Sequence, residues 1–261
     1  NTEPSMSRVD VAVGVVRDGL GRVLIAQRKA DVHQGGLWEF PGGKFEDGED
    51  DLQALSRELY EELNIKLGSA SPLIKVCFDY PQVKVHLHVR EVHGVEGELF
   101  GREGQLLKWV ALDQLKKYPF PEANKAILSA ITLGRQYAII NGSDVQQILL
   151  DLQKVAEQGV GLVQIRAKAL CEQDAERLMV QVRVRCNKLK LRYLLNSQVR
   201  VKRQVGEGVH LVSSDLMMLN KRPEGEGLVA ASCHSLVELR KAEQLALDFV
   251  VLSPVKATAS H

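Results

Sequence analysis

The residues whose spacing carries the most chemistry lie between positions 42 and 65. The glycine-bearing stretch Gly43-Lys-Phe-Glu-Asp-Gly-Glu49 is followed, after seven residues, by Arg57-Glu58-Leu59-Tyr60-Glu61-Glu62-Leu63-Asn64-Ile65. On a helix Glu58, Glu61 and Glu62 stand at i, i+3 and i+4 and share a face. Three like charges on one face repel unless a cation neutralises them. An all-carboxylate set suits Mg2+, with Mn2+ as the alternative. Arg57 can neutralise or orient one carboxylate, and the glycines let backbone groups approach a ligand closely. Glu61 and Glu62 taken alone read equally well as a solvated helix face; the whole spacing argues against that.

A second concentration is Gln164-Ile-Arg-Ala-Lys168, directly after an apolar run. Gln, Arg and Lys at alternating positions of a strand end point three phosphate-capable groups to one side. An ordinary basic strand terminus is the competing reading. His86 and His88 would share one face of a strand. With His93 they have no Cys or His partner at ligand spacing, so they read as exposed or partly packed strand residues. The cysteines at 77, 171, 186 and 233 form no CxxC pair and read as reduced thiols.

These groups need elements to position them. With 261 residues, the chain has room for between one and two domains of about 150 residues. Hydrophobic residues make up 45% and aromatics only 5%, so the core must be largely aliphatic. Lys plus Arg is 34 against 33 Asp plus Glu, a net charge of +1. Such a chain has no general drive toward nucleic acid or membrane, so no direct nucleic-acid binding is expected and an anionic ligand needs a local site. No apolar run reaches the roughly 18 residues of a spanning helix, and the N-terminus lacks the features of a signal peptide. The default location is the cytoplasm. Residues 1–7 read as disordered or left over from expression or processing.

Apolar patterning predicts strands at 9–16 and 22–28, joined by a hairpin turn at Asp18-Gly19. A helix over 50–63 should bury Leu52, Leu55, Leu59 and Leu63. Strands follow at 73–78, 83–92 and 108–112, then a helix at 124–133. Beyond a short Gly-containing link, strands at 137–140, 161–165, 192–196, 209–212, 228–232 and 249–252 alternate with helical stretches such as 144–158 and 172–188. That rhythm predicts βα units and a parallel sheet. The expected class is α/β, with domains at 8–133 and 137–261.

The first motif resembles the Nudix box, Gly-x5-Glu-x7-Arg-Glu-U-x-Glu-Glu-x-Gly-U, where U is a large aliphatic residue. Every position matches except the late Gly, which is Asn64. Asn also tolerates a left-handed helix end, so the turn should survive. Val11-Ala-Val-Gly-Val-Val, Ile25-Ala-Gln-Arg-Lys-Ala, Trp38-Glu-Phe-Pro-Gly-Gly-Lys44, Gly101-Arg-Glu-Gly-Gln105 and Pro121-Glu-Ala-Asn124 resemble the MutT branch, over about residues 8–130. The resemblance implies an α/β/α sandwich that cleaves oxidised purine nucleoside triphosphates. The typical substrate is 8-oxo-dGTP, cut to the monophosphate and pyrophosphate, which keeps the damaged base out of DNA. It implies that Glu58, Glu61, Glu62, the Gly42 carbonyl and Glu103 hold Mg2+, and that water attacks the β-phosphorus. Glu61, Glu103 and the other helix glutamates remain alternatives for the general base, with Arg57 assisting. Asn124 matches the residue that reads the purine edge, though an Asn near a helix start is also a cap. Arg28, Phe40, Gly43 and Lys44 fall near the same pocket. His33 contacts phosphate or base, or is merely exposed; Tyr80 lines the pocket or only packs. The following strand, with His86 and His88, departs from the branch's aromatics.

The second motif resembles thiamin phosphate synthase and the thiazole tautomerase TenI, over residues 136–261. Gln164, Arg166 and Lys168 match, as do Gly208-Val-His-Leu211, Asp215, Ser232-Cys-His-Ser235 and Ser253-Pro-Val255. The resemblance implies a TIM-type barrel whose carboxyl-end site takes a thiamin-type phosphate. The usual Asn-Asp is here Asn196-Ser197, which leaves Asp215 alone, and Thr258-Ala-Ser-His261 lacks the synthase lysine. His234 matches a TenI histidine suited to proton transfer. A thiamin-biosynthetic enzyme, a ligand-sensing module and a supporting domain all remain open. Six candidate strands fall short of the eight strands and roughly 200 residues of a barrel. The barrel should therefore be open or the chain cut short, with a sticky edge at 249–252.

Overall fold

The computed structural model describes residues 7–29, 34–81, 83–225 and 227–254. Contacts divide the chain into two units, Asn1–Thr132 and Leu133–His261. The elements of the first are β1 (Ser7–Val16), β2 (Val23–Gln27), β3 (Trp38–Glu39), β4 (Gly42–Lys44), α1 (Asp51–Leu63), β5 (Lys66–Tyr80), β6 (Val83–Glu96), β7 (Leu107–Val110) and α2, Lys125–Leu133.

The run Val11-Ala-Val-Gly-Val-Val lacks alternation because both faces of β1 are covered. Ala12 and Val16 pack with Leu55, Leu59 and Leu63 of α1, whereas Val13 and Val15 pack with Ile127 and Ile131 of α2. Strand alternation puts these sets on opposite faces, so the sheet lies between two helices. At Gly14 an added Cβ would come within 3.0 Å of Leu55, so glycine lets α1 sit close to β1. One sheet has the order β4-β1-β6-β5, with β1 and β6 parallel; the other, β3-β2-β7, is antiparallel.

The predicted hairpin between the first two strands is not formed. β1 and β2 belong to different sheets and share one isolated bridge, Arg17 with Val23. The Asp18 carboxylate closes the turn by accepting from the Leu20 and Arg22 amides, but both edges of β1 are taken by β4 and β6. β5 is longer than predicted and carries a register shift between Pro72 and Ile74. Leu52 is 39% exposed; the buried face of α1 is Ala54, Leu55, Leu59 and Leu63. Asp50 caps α1 in a reciprocal box with Gln53. Asn64 ends it in the left-handed conformation, φ 57°, as the tolerance of Asn predicted.

The second unit runs β8 (Ala138–Asn141), α3 (Val145–Glu157), β9 (Leu162–Arg166), α4 (Glu172–Leu189), β10 (Arg192–Asn196), β11 (Gly208–Leu211), α5 (Ser213–Met218), β12 (Val229–Cys233), α6 (Leu236–Gln244) and β13, Phe249–Leu252. All neighbouring strands are parallel and stand in chain order. A sheet that never reverses its winding is that of a barrel rather than of a doubly wound fold. Among the described residues β8 and β13 remain edges, so the unit is an open half-barrel. No described helix is long and apolar enough to cross a membrane.

Candidate active site

Glu58 and Glu62 are one turn apart on α1, on the flank facing β4. Gly43 of β4 makes room for Glu58: an added Cβ would lie 2.2 Å from its carboxylate. Gly42 is held at φ +145°, where a Cβ would meet the Ala12 carbonyl at 2.0 Å. Arg57 organises the acids beside it. Its guanidinium donates to Glu49 at 2.8 and 2.9 Å, to Glu58 at 2.9 Å, to Glu61 at 3.2 Å and to the Lys44 carbonyl at 2.9 Å. These bonds push the Arg57 pKa up and, chiefly through Arg57, hold Glu49 down at about 2.

The loop before β7 brings in Glu103. The Arg102 amide donates to the Glu62 carbonyl at 2.9 Å, and the Gln105 side chain donates to the same oxygen at 3.2 Å. Glu103 pairs with Lys29 at 2.9 Å, and Glu39 pairs with Arg28. Glu62 registers the crowding: burial first, then the charges of Glu58, Glu39 and Glu103, push it up to about 8, with Lys29 opposing. Burial also raises Glu39.

A cleft of about 520 Å³ runs past these groups, lined by Arg28, Phe40, Gly42, Gly43, Lys44, Glu62, Tyr80, Glu103 and Asn124. Arg57, Glu58 and Glu61 are not on its wall: Glu58 lies behind Gly43, and Glu61 is 57% exposed against Arg57. Asn124 closes a short 3-10 turn, Glu122–Asn124, that runs into α2, so it is inside the helical segment rather than at a cap. Tyr80 packs on Phe78 at 4.7 Å and also faces the cleft. His33 lies outside the described residues. His88 bonds Asp10 at 2.7 Å, with His86 4.0 Å from the same carboxylate, both partly buried strand residues; His93 is an exposed strand residue that bonds Ser71.

In the second unit, inward-facing polar residues form one chain of hydrogen bonds. Asn196 donates to Gln164 at 3.1 Å, and Gln164 donates to the Tyr137 hydroxyl at 3.2 Å. That hydroxyl meets His210 Nδ1 at 3.0 Å, and His210 Nε2 meets Ser232 at 2.9 Å. Gln198 bridges Asn196 to Asp215. His210 is 1% exposed, and burial, with Arg166 and Lys168 adding, pushes it down to about 4. Burial and Arg166 also lower Lys168, against the pull of Asp215. The arrangement gathers Gln164, Arg166, Lys168, Asn196, Asp215 and Ser232 around one end of the sheet. His234 stands apart: it is exposed, donating to the Ser253 carbonyl at 2.6 Å.

Residues 12–130 match the NUDIX domain family. Over 126 residues the chain is 36% identical to 8-oxo-dGTP diphosphatase from Escherichia coli K12, covering 48% of this chain and 98% of that one. The first half of this chain belongs to the Nudix family. The Nudix unit is equally, 36%, identical over 126 residues to the CTP pyrophosphohydrolase of the same organism, covering 48% of this chain and 92% of that one. Residues 136–261 match the thiamine monophosphate synthase family. There the chain is 33% identical over 132 residues to the putative thiamine-phosphate synthase 2 of Aquifex aeolicus, covering 49% of this chain and 71% of that one. The protein is therefore a Nudix pyrophosphohydrolase carrying a thiamine-phosphate-synthase-type half-barrel.

Nudix hydrolases generally need divalent metal ions. As the side chains stand, no three described His, Cys, Asp or Glu groups converge tightly enough to hold one. Glu58 and Glu61 are turned to Arg57 and Glu103 to Lys29, so these cations offset the acids. The donor set nonetheless fits a hard cation. Its donors are carboxylates beside a glycine cradle that a Cβ would fill, and their mutual repulsion adds to burial in raising Glu62.

Lys29 and Glu39 are site residues that spacing alone did not single out. Both lie inside motif runs, but each gains its meaning from a partner on another element. In the half-barrel, Tyr137 and His210 were missed as site residues for the same reason, although His210 lies within Gly208-Val-His-Leu211.

Proposed function

We propose that the Nudix unit hydrolyses oxidised purine nucleoside triphosphates, converting 8-oxo-dGTP to 8-oxo-dGMP and pyrophosphate before the damaged base enters DNA. The working ion in this reading is Mg2+, with Mn2+ as substitute, and the setting is the cytoplasmic nucleotide pool. The supporting observation is one cleft lined both by Phe40, Tyr80 and Asn124 and by the acids Glu62 and Glu103. The Asn124 amide offers both donor and acceptor to a base edge altered by oxidation. Arg28, Lys44 and Lys29 supply positive charge along the phosphates. Glu58, Glu61, Glu62, Glu103 and the Gly42 carbonyl would hold the ion, and Arg57 keeps the helix glutamates oriented. The bound ion supplies a water of lowered pKa and polarised phosphoryl oxygens. Glu103 or a helix glutamate takes the water's proton. The water oxygen bonds to the β-phosphorus while that atom's bond to the α-bridging oxygen breaks, releasing the monophosphate.

The test is pyrophosphate release from 8-oxo-dGTP, dGTP and CTP with Mg2+. Preference for 8-oxo-dGTP is expected; preference for CTP would reject the base assignment. Glu61→Gln should lose activity, and wild-type turnover in it would reject the metal assignment.

A second reading concerns the half-barrel, taken as residues 137–261 beside a Nudix domain at 8–133. Arg166 and Lys168 crowd positive charge beside the buried polar chain, an arrangement that favours an anion such as a thiamin-type phosphate. With Ser197 in place of an acid, we expect binding of thiamin phosphate by calorimetry without turnover. Thiamin phosphate formation from the pyrimidine pyrophosphate and thiazole phosphate would overturn the view that this unit only binds.

A further inference from the structure

The helix end at Asn64 does more than a glycine there could. Glycine supplies a positive φ without a side chain, whereas Asn64 uses both ends of its amide. Nδ2 donates to the Glu98 carbonyl at 3.1 Å, and Oδ1 accepts from the Arg102 guanidinium. That guanidinium also lies over the Tyr60 ring, 4.6 Å from its centroid. The backbone joins in: the Phe100 amide donates to the Leu63 carbonyl at 3.2 Å, and the Arg102 amide to the Glu62 carbonyl at 2.9 Å. The chain passes so close at Gly97 that a Cβ there would lie 2.8 Å from the Asn64 carbonyl.

The loop is thus stitched to the last turn of α1 immediately before Glu103. Gly101 and Gly104, the latter at φ +76°, leave the loop little stiffness of its own. Arg102 turns to the helix and Glu103 to Lys29 and the cleft. We infer that Asn64 and Arg102 form a latch that positions Glu103 for the metal site. They are positioning residues, since neither lines the cleft. This inference rests on the proposed role of Glu103 as a ligand.

The test is Mn2+ binding to the full chain, titrated by electron paramagnetic resonance, with thermal melts alongside. Asn64→Gly keeps the left-handed turn and removes only the amide. It should bind Mn2+ roughly tenfold more weakly, the scale of a lost supporting contact, while melting within about 2 °C of wild type. Arg102→Ala should do the same. Arg102→Lys, which keeps the charge but loses the fork, should fall between. Combining Asn64→Gly with Glu103→Gln should weaken binding no further than Glu103→Gln alone. If Glu103→Gln weakens binding but Asn64→Gly and Arg102→Ala do not, the latch is overturned while the role of Glu103 stands. If Glu103→Gln itself binds Mn2+ like wild type, the role of Glu103 fails and the latch with it.

Discussion

Adjacent glycines at 42 and 43 should fail in opposite ways when given a methyl group. At Gly43 the obstacle is the tip of a side chain: the Cβ would lie 2.2 Å from Glu58 Cδ and Oε1 and 2.6 Å from Oε2. That carboxylate can rotate aside, so the fold should lose about 1 kcal/mol, the low end of overpacking costs. Its displacement would take Glu58 off the proposed metal site, and a misplacement of about 1 Å costs about 100-fold in turnover. At Gly42 the obstacle is backbone, the Ala12 carbonyl at 2.0 Å, and the backbone sits at φ +145°. Strain of roughly 1–3 kcal/mol adds to a clash of similar size, or about 4 kcal/mol in all. At roughly 4 °C per kcal/mol, Gly42→Ala should melt about 16 °C lower and Gly43→Ala only about 4 °C lower. Calorimetry paired with pyrophosphate release separates the two. Full activity in a well-folded Gly43→Ala would refute the idea that Glu58 works from behind that glycine.

Arg57→Lys loses the paired bonds to Glu49 and the reach to the Lys44 carbonyl. Turnover should fall about 10–100-fold with little change in melting; unchanged kinetics would make Arg57 a surface ion pair only. Asn124→Ala should erode discrimination between 8-oxo-dGTP and dGTP more than it lowers turnover on dGTP, read as the ratio of kcat/KM values. His210 gives a pH signature. An unfolded histidine takes its proton near 6.5, but buried His210 holds off to about 4. Between those values the unfolded chain binds more protons, so stability rises with pH. Acidifying from pH 7 to 4 should cost the half-barrel on the order of 3 kcal/mol. Urea titrations at stepped pH should show that slope, and His210→Asn should flatten it; parallel slopes would refute the assignment.

Elements that announce themselves locally were legible. α1 carries its own start, with Asp50 and Gln53 in a capping box, and its own stop at Asn64. The half-barrel strands are short buried runs, and their parallel alternation with helices followed from rhythm alone. What failed was pairing. The turn at Asp18 is real, yet β1 prefers β6, some seventy residues on, where Val9 to Val16 meet Val85 to Val92 in register. β5 begins in Lys66-Leu-Gly-Ser-Ala-Ser-Pro72, a stretch with no strand signal. It is extended because β6 pairs along nearly all of it.

The same distinction governs the two sites. The Nudix carboxylates are visible because one helix carries them at i, i+3 and i+4. Glu39 and Lys29 are invisible because their effect on Glu62 arises only once β3, the end of β2 and α1 meet. In the half-barrel nothing is local: Tyr137 reaches Gln164 across 27 residues and His210 across 73. Tyr137 and His210 are unremarked polar residues, and of the motif that does show, Gln164 to Lys168, only Gln164 enters the buried chain while Arg166 and Lys168 supply charge beside it. A net charge of +1 hides both patterns, since the acids of one unit cancel the cations of the other on paper. The missing acid at Ser197 therefore weakens the case for catalysis there without weakening the case for binding. An intact hydrogen-bonded chain from Asn196 to Ser232 is what a buried ligand-facing wall requires, whether or not a reaction follows.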